Sequence, residues 1–407
     1  MCWSFRTAYS PLNRITVKQL LQQGYLTDDL HTSVIVHNFD LLQKRIAHLV
    51  EAFPQDTLHT LAVKANPLPP ILQHAVNHGM GLETASSGEI ALAEAVGCPV
   101  ENIVFDSPAK TRAEIERALR LGLTVNVNSS SELERVAQVG FHNRVGLRVN
   151  PVVAEASRES TTMVATARSK FGVPIDRCPE LLKQYPQLTG LHVHVGSQVA
   201  TKDDLVEASR RVVELADQFP NIQWLDIGGG LPTQYRSDDP GLDPEVYFQA
   251  LKEAAPTIAN YRLITEMGRA LQSNCGFAVS KVEYVTDDRL IVHLGADFAL
   301  RECYQPDSWY HDLEILDPQG NPKAGPRKRY DIFGPLCFSG DRLGKEREIP
   351  EVEEGDLLVI HDCGGYTLGM WSRYCSRLMP EVVGLESGKL KVIKSRETEA
   401  DLVGSWA

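Results

Sequence analysis

The sequence predicts an α/β protein, a (β/α)8 TIM barrel followed by a mostly antiparallel β domain. Short apolar runs alternate with helix-favouring segments from about residue 61 to residue 265. Past Gly276 that rhythm gives way to β-branched stretches separated by turn signals. At 407 residues the chain exceeds what one core usually holds, so a barrel with an added module is the expected division. The assigned ranges are 1–35 for an N-terminal segment that joins the β domain, 36–275 for the barrel and 276–407 for the β domain.

The N-terminal segment reads as a polar lead-in whose periodicity is broken by Pro11, Gly24 and Asp28-Asp29. Ser33–Val36 reads as a strand, and Leu41, Leu42, Ile46, Leu49 and Val50 recur at helical spacing over Asp40–Phe53. The barrel strands are expected at Leu61–Ala65, Gly81–Ala85, Ile103–Phe105, Leu123–Val127, Val145–Val149, Leu191–Val195, Trp224–Ile227 and Leu263–Thr265. Between them Ser87–Val96, Thr111–Leu121, Ser130–Val139, Asp203–Gln218 and Pro244–Ile258 read as helices, most opened by a Ser, Thr or Asp cap. The β domain should contain strands at Val279–Val285, Leu290–Leu294, Leu357–His361 and Leu390–Lys394, with turns at Asp287-Asp288, 317–322 and Gly384–Gly388.

The net charge of -12 argues against nucleic acid or an anionic membrane as a partner. The start, Met1-Cys2-Trp3-Ser4-Phe5-Arg6, lacks the apolar core of a secretory signal. No apolar run reaches the roughly 18 residues that a spanning helix needs, so a cytoplasmic location is expected. Eight cysteines are scattered without a C-x-x-C pair, which points to reduced thiols.

In such barrels functional groups sit at the C-terminal ends of strands, and phosphate often binds after strands seven and eight. The first run, Leu61-Ala62-Val63-Lys64-Ala65-Asn66-Pro67, delivers an ammonium to that end, although a lysine alone reads as a solvated charge. The seventh leads into Gly228-Gly229-Gly230, whose backbone N–H groups can approach an anion closely. The eighth ends in Thr265-Glu266-Met267-Gly268-Arg269, a carboxylate beside a guanidinium suited to phosphate. His192 and His194 share a side of the sixth strand; alone they read as core histidines, and no third ligand at an obvious spacing supports zinc, so no metal is expected.

These segments resemble the fold-type III pyridoxal phosphate-dependent decarboxylases, the ornithine, diaminopimelate and arginine decarboxylase family, nearest the diaminopimelate branch. The motifs are Ala62-Val63-Lys64-Ala65-Asn66, Ser87-Gly88-Glu89, Ser169-Lys170-Phe171-Gly172, Gly190 to Gln198, the glycine triplet, Glu266-Met267-Gly268-Arg269, Gly334-Pro335-Leu336-Cys337 and Gly364-Gly365-Tyr366-Thr367. The resemblance implies an alanine racemase-like two-domain architecture, pyridoxal 5'-phosphate as cofactor and an amino-acid substrate. It implies that Lys64 anchors the cofactor, Glu266 pairs with its ring nitrogen and His194 stacks on the ring. Ser197, Gly228, Gly229, Gly230, Gly268, Arg269 and Tyr366 then hold the cofactor. Cys337 returns a proton after carbon dioxide leaves, and Cys337 and Tyr366 reach the site across a homodimer interface.

The distal pocket departs from the family. The residue after the cysteine, acidic in diaminopimelate and ornithine decarboxylases, is Phe338 here. Arg301 aligns with the arginine that reads the distal carboxylate of diaminopimelate, and Asp341 or Glu302 is the remaining acid for a distal amine. The expected activity is decarboxylation of an amino acid or derivative, free or carrier-bound, in the biosynthesis of a specialised small molecule. The alternatives are a meso-diaminopimelate decarboxylase that makes L-lysine and a silent cofactor-binding homologue. A racemase of this fold type carries arginine at the ring nitrogen, so Glu266 points away from racemisation.

Overall fold

Strands that are apolar on both faces need cover on both, and a closed parallel barrel ringed by helices supplies it. The computed structural model describes residues 6–27, 31–142, 144–153, 164–199, 201–236, 239 and 241–407, with side chains described from residue 12 onward. It divides into two compact units, one of Gln43–Thr233 and Pro240–Leu271, the other of Ser4–Leu42, Gln234–Asp239 and Gln272–Ala407.

In the first unit the parallel strands are Leu58–Ala62, Gly81–Thr84, Ile103–Asp106, Thr124–Val127, Val145–Asn150, Gly190–His192, Trp224–Asp226 and Arg262–Met267. Each pairs with the next, and Leu58↔Ile264 and Leu61↔Met267 close the circle. A short strand, Val173–Pro174, adds to the outside of Val145–Asn150. All eight expected strands are therefore present, with boundaries moved by a few residues. One move matters: the first strand stops at Ala62, and Lys64 lies in a 3₁₀ turn, Val63–Ala65, instead of at the strand's end.

The intervening helices start where the caps predict. Ser86, Ser129 and Thr201 accept the backbone N–H groups of Glu89, Glu132 and Asp204, and Thr111 forms a reciprocal capping box with Glu114. Each such cap contributes about 1 kcal/mol. The expected helix Pro244–Ile258 ends at Ala254, where a 3₁₀ turn from Pro256 replaces its last turn, because proline cannot continue the ladder. Helices at Pro69–Asn77 and Cys178–Gln184 were not foreseen.

Near the N-terminal ends of the strands, Trp224 packs with Leu58, Val104 and Ile264. A Cβ on Gly190 would sit 2.1 Å from the indole and one on Gly146 2.4 Å, so both glycines exist to make room for that ring. Gly190→Ala should cost about 1–3 kcal/mol through overpacking. An unchanged urea-unfolding midpoint in that variant would contradict this account.

In the second unit Ser33–Asn38 lies between Gly276–Thr286, antiparallel, and Glu381–Glu386, parallel. Most other pairings are antiparallel: Gly276–Thr286 with Arg289–Val292 and Leu357–Ile360, Leu313–Leu316 with Leu357–Ile360, Arg327–Phe333 with Arg342–Pro350, and Glu381–Glu386 with Lys389–Lys394. Arg289–Val292 and Arg327–Phe333 run parallel. Val34, Val36, Phe277, Val279, Val359 and Val383 form its core with Val17 and Leu20.

Those last two residues belong to a helix, Arg6–Gln22, where a polar lead-in was expected. Its short buried stripe, including Val17 and Leu20, is too narrow to stand out beside the polar residues of the other faces. The expected turn over Gly384–Gly388 is also corrected. Gly384 is inside a strand and the turn is confined to Ser387-Gly388; its glycine answers packing, since Phe39 occupies the space that a side chain at 384 would need. The expected break at Asp28-Asp29 lies outside the described residues.

Candidate active site

Several barrel strands carry charged side chains inward, and these form a buried chain. Arg148 Nη1 donates to Asp106 Oδ2 at 2.7 Å, His192 Nδ1 stands 3.9 Å from Asp106 Oδ1, and His192 Nε2 stands 3.4 Å from Glu266 Oε2. Asp226 accepts from Asn126 Nδ2 at 2.9 Å and from the Gly228 N–H at 3.0 Å. Such burial is tolerated only where opposite charges answer one another. Burial would lower the His192 pKa, but Glu266, Asp226 and Asp106 outweigh it and raise the group to about 9. Burial would likewise raise Glu266, but His192 holds it well below the usual carboxylate range. Asp226 moves the other way: burial first and Glu266 second push it well above its ordinary value.

Asp106, His192 and Glu266 bring their ligand atoms within 4.8 Å of one another, the kind of cluster that can hold a metal. The spacing of His192 and His194 hid this grouping because its other members come from distant strands. Arg148 on Asp106, and His192 between Asp106 and Glu266, make the trio part of a chain of alternating charges.

His194 lies beside the same carboxylate, its Nδ1 4.0 Å from Glu266 Oε2, and accepts the Gly229 N–H at 3.1 Å. That contact places its proton on Nε2 when the ring is neutral. Burial pushes its pKa down to about 3, which keeps it neutral. Lys64 pairs with Glu83, a fully buried carboxyl at the end of the second strand that burial pushes up to about 8 against the pull of Lys64.

At the ends of strands six to eight, Arg269 Nε donates to Ser197 Oγ at 2.8 Å, next to Gly268 at the end of its strand. Gly228 and Gly230 have φ of +65° and +107°, conformations that favour glycine. The Gly228 and Gly229 N–H groups are engaged within the loop by Asp226 and His194, so the triplet shapes the cradle more than it offers free donors.

The second unit carries the remaining residues. Arg301 stacks between two rings, its guanidinium carbon 4.8 Å from the Trp309 centroid and 5.0 Å from that of Tyr366. Tyr366 has a φ of +60°, a strained conformation for a bulky residue and one found at functional sites. Cys337 is exposed, and beside it Phe338 stacks on Tyr304 at 5.4 Å and meets Tyr374 edge-on at 6.0 Å. Asp341, expected in the distal pocket, is instead buried and accepts the N–H groups of Ala296 and Leu336, each at 2.6 Å. Both oxygens are used to hold the turn that presents Cys337. Glu302 is also buried, its carboxyl pushed up to about 8 by burial and pulled back by Arg347.

Residues 39–273 match the family model described as "Pyridoxal-dependent decarboxylase, pyridoxal binding domain". The chain belongs to the pyridoxal-dependent decarboxylases. It is 30% identical over 393 residues to a diaminopimelate decarboxylase of Aquifex aeolicus, covering 91% of both chains. A relative of the same description from Neisseria meningitidis is 32% identical over 391 residues, covering 92% of this chain and 94% of the relative. Among solved structures, the diaminopimelate decarboxylase of Helicobacter pylori complexed with L-lysine superposes with a TM-score of 0.87 at 27% identity, covering 95% of this chain and 98% of that one.

This decarboxylase is therefore a pyridoxal phosphate-dependent carboxy-lyase acting on an amino acid. Its barrel fits the cofactor on observations of its own: Glu266 Oε1 is a buried carboxylate oxygen without a hydrogen-bond partner, matched to a protonated ring nitrogen. Ser197 and Arg269 stand together where a phosphate is expected. Among the described residues no helix is long and apolar enough to cross a membrane. Sequence reasoning missed Glu83, Asp106, Arg148 and Asp226, all charged residues inside apolar strands. That interruption was the available signal.

Proposed function

We propose that this decarboxylase acts on an α-amino acid whose distal end carries an anionic, amide-like or apolar group. Arg301 supplies the distal recognition, and aromatic side chains stand where a carboxylate would receive a distal ammonium. The observation that carries this reading is the Phe338–Tyr304–Tyr374 cluster beside Cys337, which contains no acid. The second reading is meso-diaminopimelate decarboxylation, favoured by the shared description of the relatives. Carbon dioxide release from a panel of amino acids that includes meso-diaminopimelate separates the two.

Bound pyridoxal phosphate supplies the electron sink that decarboxylation needs. Lys64 Nζ must lose a proton before it can act as a nucleophile, and Glu83, its carboxyl pushed up to about 8 by burial, is largely neutral at pH 7 and so holds that proton on Nζ less firmly than an ionised carboxylate would. Glu266, held ionised, would answer the charge on the ring nitrogen, and neutral His194 would offer its face to the ring. Ser197 and Arg269 would hold the phosphate. The exposed Cys337 thiol would return a proton to the carbon that has lost carbon dioxide.

The active assembly is a two-fold dimer in which Cys337 and Tyr366 face the partner's Lys64. The exposure of Tyr304 (61%) and Tyr374 (51%) around Cys337 supports a covered aromatic face. Mixing Lys64→Ala and Cys337→Ala proteins, each inactive, should regenerate activity, since one hybrid site is intact. No recovery after demonstrated subunit exchange would refute shared sites.

A further inference from the structure

We propose that His192 is a positioning residue for the decarboxylation: as an imidazolium between Asp106 and Glu266 it holds Glu266 ionised and thereby keeps the shared proton on the cofactor's ring nitrogen. The inference rests on the reading of Glu266 as the partner of that nitrogen.

His192 is fully buried, with Nε2 3.4 Å from Glu266 Oε2 and Nδ1 3.9 Å from Asp106 Oδ1. A neutral imidazole has one N–H and can answer only one of the two carboxylates, which leaves its other nitrogen a buried acceptor facing a carboxylate oxygen, at a cost of about 1–3 kcal/mol. A charged one sits between two carboxylates at 3.4 and 3.9 Å, and the second of these is itself held by Arg148. The other groups facing it are Asp226, which accepts from Gly228 and Asn126, and neutral His194. Lys64 acts on the same Glu266 from farther along the site. The pattern is thus Arg148⁺, Asp106⁻, His192⁺, Glu266⁻, alternating in sign from one side of the barrel to the other.

The direction of the effect follows from Coulomb's law. A proton between Glu266 and the ring nitrogen has two places to rest. A positive charge behind the carboxylate favours the arrangement with the negative charge on Glu266 and the proton on nitrogen. Without that charge the buried carboxyl takes the proton back, and the ring loses its capacity to accept electrons. His192 touches no reacting atom. It acts through Glu266, as an outer partner orients and tunes an inner ligand.

Two measurements test this. Nitrogen NMR of the unloaded protein labelled in histidine should show both His192 ring nitrogens protonated at neutral pH and losing a proton near pH 9, instead of near the ordinary 6.5. A neutral imidazole at pH 7 overturns the inference, whether or not any variant folds. In the loaded enzyme, His192→Gln should lower kcat by about 10- to 100-fold with KM unchanged. It should also shift the visible absorbance of bound cofactor in the direction that Glu266→Gln shifts it. A His192→Gln protein with unchanged kcat and unchanged absorbance overturns it as well. Glu266→Gln that leaves the absorbance untouched would instead refute the assignment of Glu266, a separate failure.

Discussion

Lys64→Ala protein should release carbon dioxide from its best substrate more than about a thousandfold slower than the parent, equivalent to over about 4 kcal/mol of barrier. Lys64 sits on the turn that ends the first barrel strand, partly open to solvent and paired with Glu83. It can therefore reach a carbonyl from a partly open position beside a carboxyl that is largely neutral at pH 7. Borohydride reduction of the loaded enzyme, followed by peptide mapping, should label Lys64 alone. A buried lysine elsewhere in the same unit makes this a strict test. Lys110 is fully buried, donates to the Ser107 and Asn126 carbonyls at 2.8 and 2.7 Å, and pairs with Glu132 at 2.8 Å. Two backbone carbonyls and a carboxylate already hold that ammonium. Label on Lys110, or a Lys64→Ala protein of undiminished rate, would remove the anchor from its assigned place.

Meso-diaminopimelate, lysine and ornithine should all be poor substrates compared with an amino acid whose tail is apolar, amide-like or anionic. An ammonium that meets Phe338 in place of a carboxylate gains at most a cation–π contact of about 0.5–2 kcal/mol. It forgoes an ion pair whose loss leaves a buried charge unanswered, a cost of several kcal/mol. The difference corresponds to orders of magnitude in kcat/KM. Phe338→Glu should raise kcat/KM for meso-diaminopimelate by about 10- to 100-fold, with Arg301 retained to read the distal carboxylate. Neither of the remaining acids is an easy substitute. Asp341 spends both oxygens on backbone N–H groups, and Glu302 is buried beside Arg347. Parent enzyme that decarboxylates meso-diaminopimelate as well as any other amino acid would show that Phe338 does not set the distal preference.

The barrel was legible because its signal is redundant: eight apolar runs, five of them followed by a capped helix, say the same thing repeatedly. The β domain was less so. Leu313–Leu316, Arg327–Phe333, Arg342–Pro350 and Glu381–Glu386 escaped notice. Arg327–Phe333 and Arg342–Pro350 are rich in charge because much of each strand faces solvent, and a half-solvated strand shows only weak alternation. Lys64, Glu266, His194 and Arg269 lie in motifs that are each local in sequence. The chain from Arg148 through Asp106 and His192 to Glu266 is non-local, assembled by barrel closure from four strands, and no spacing rule reaches across it. The surroundings of Asp341 were illegible for a related reason: the backbone N–H groups of Ala296 and Leu336 that its oxygens accept are a matter of folding, not of spacing.

Trp224 and the two glycines that admit it carry a consequence for traffic. With the indole wedged against Gly146 and Gly190 among Leu58, Val104 and Ile264, the N-terminal end of the barrel is stoppered. A lumen sealed at one end has a single doorway, so incoming amino acid, departing amine and escaping carbon dioxide must all use the strands' C-terminal rim. Turnover is then a matter of queueing as well as chemistry. Substrate and product therefore share one approach to the strands' C-terminal ends.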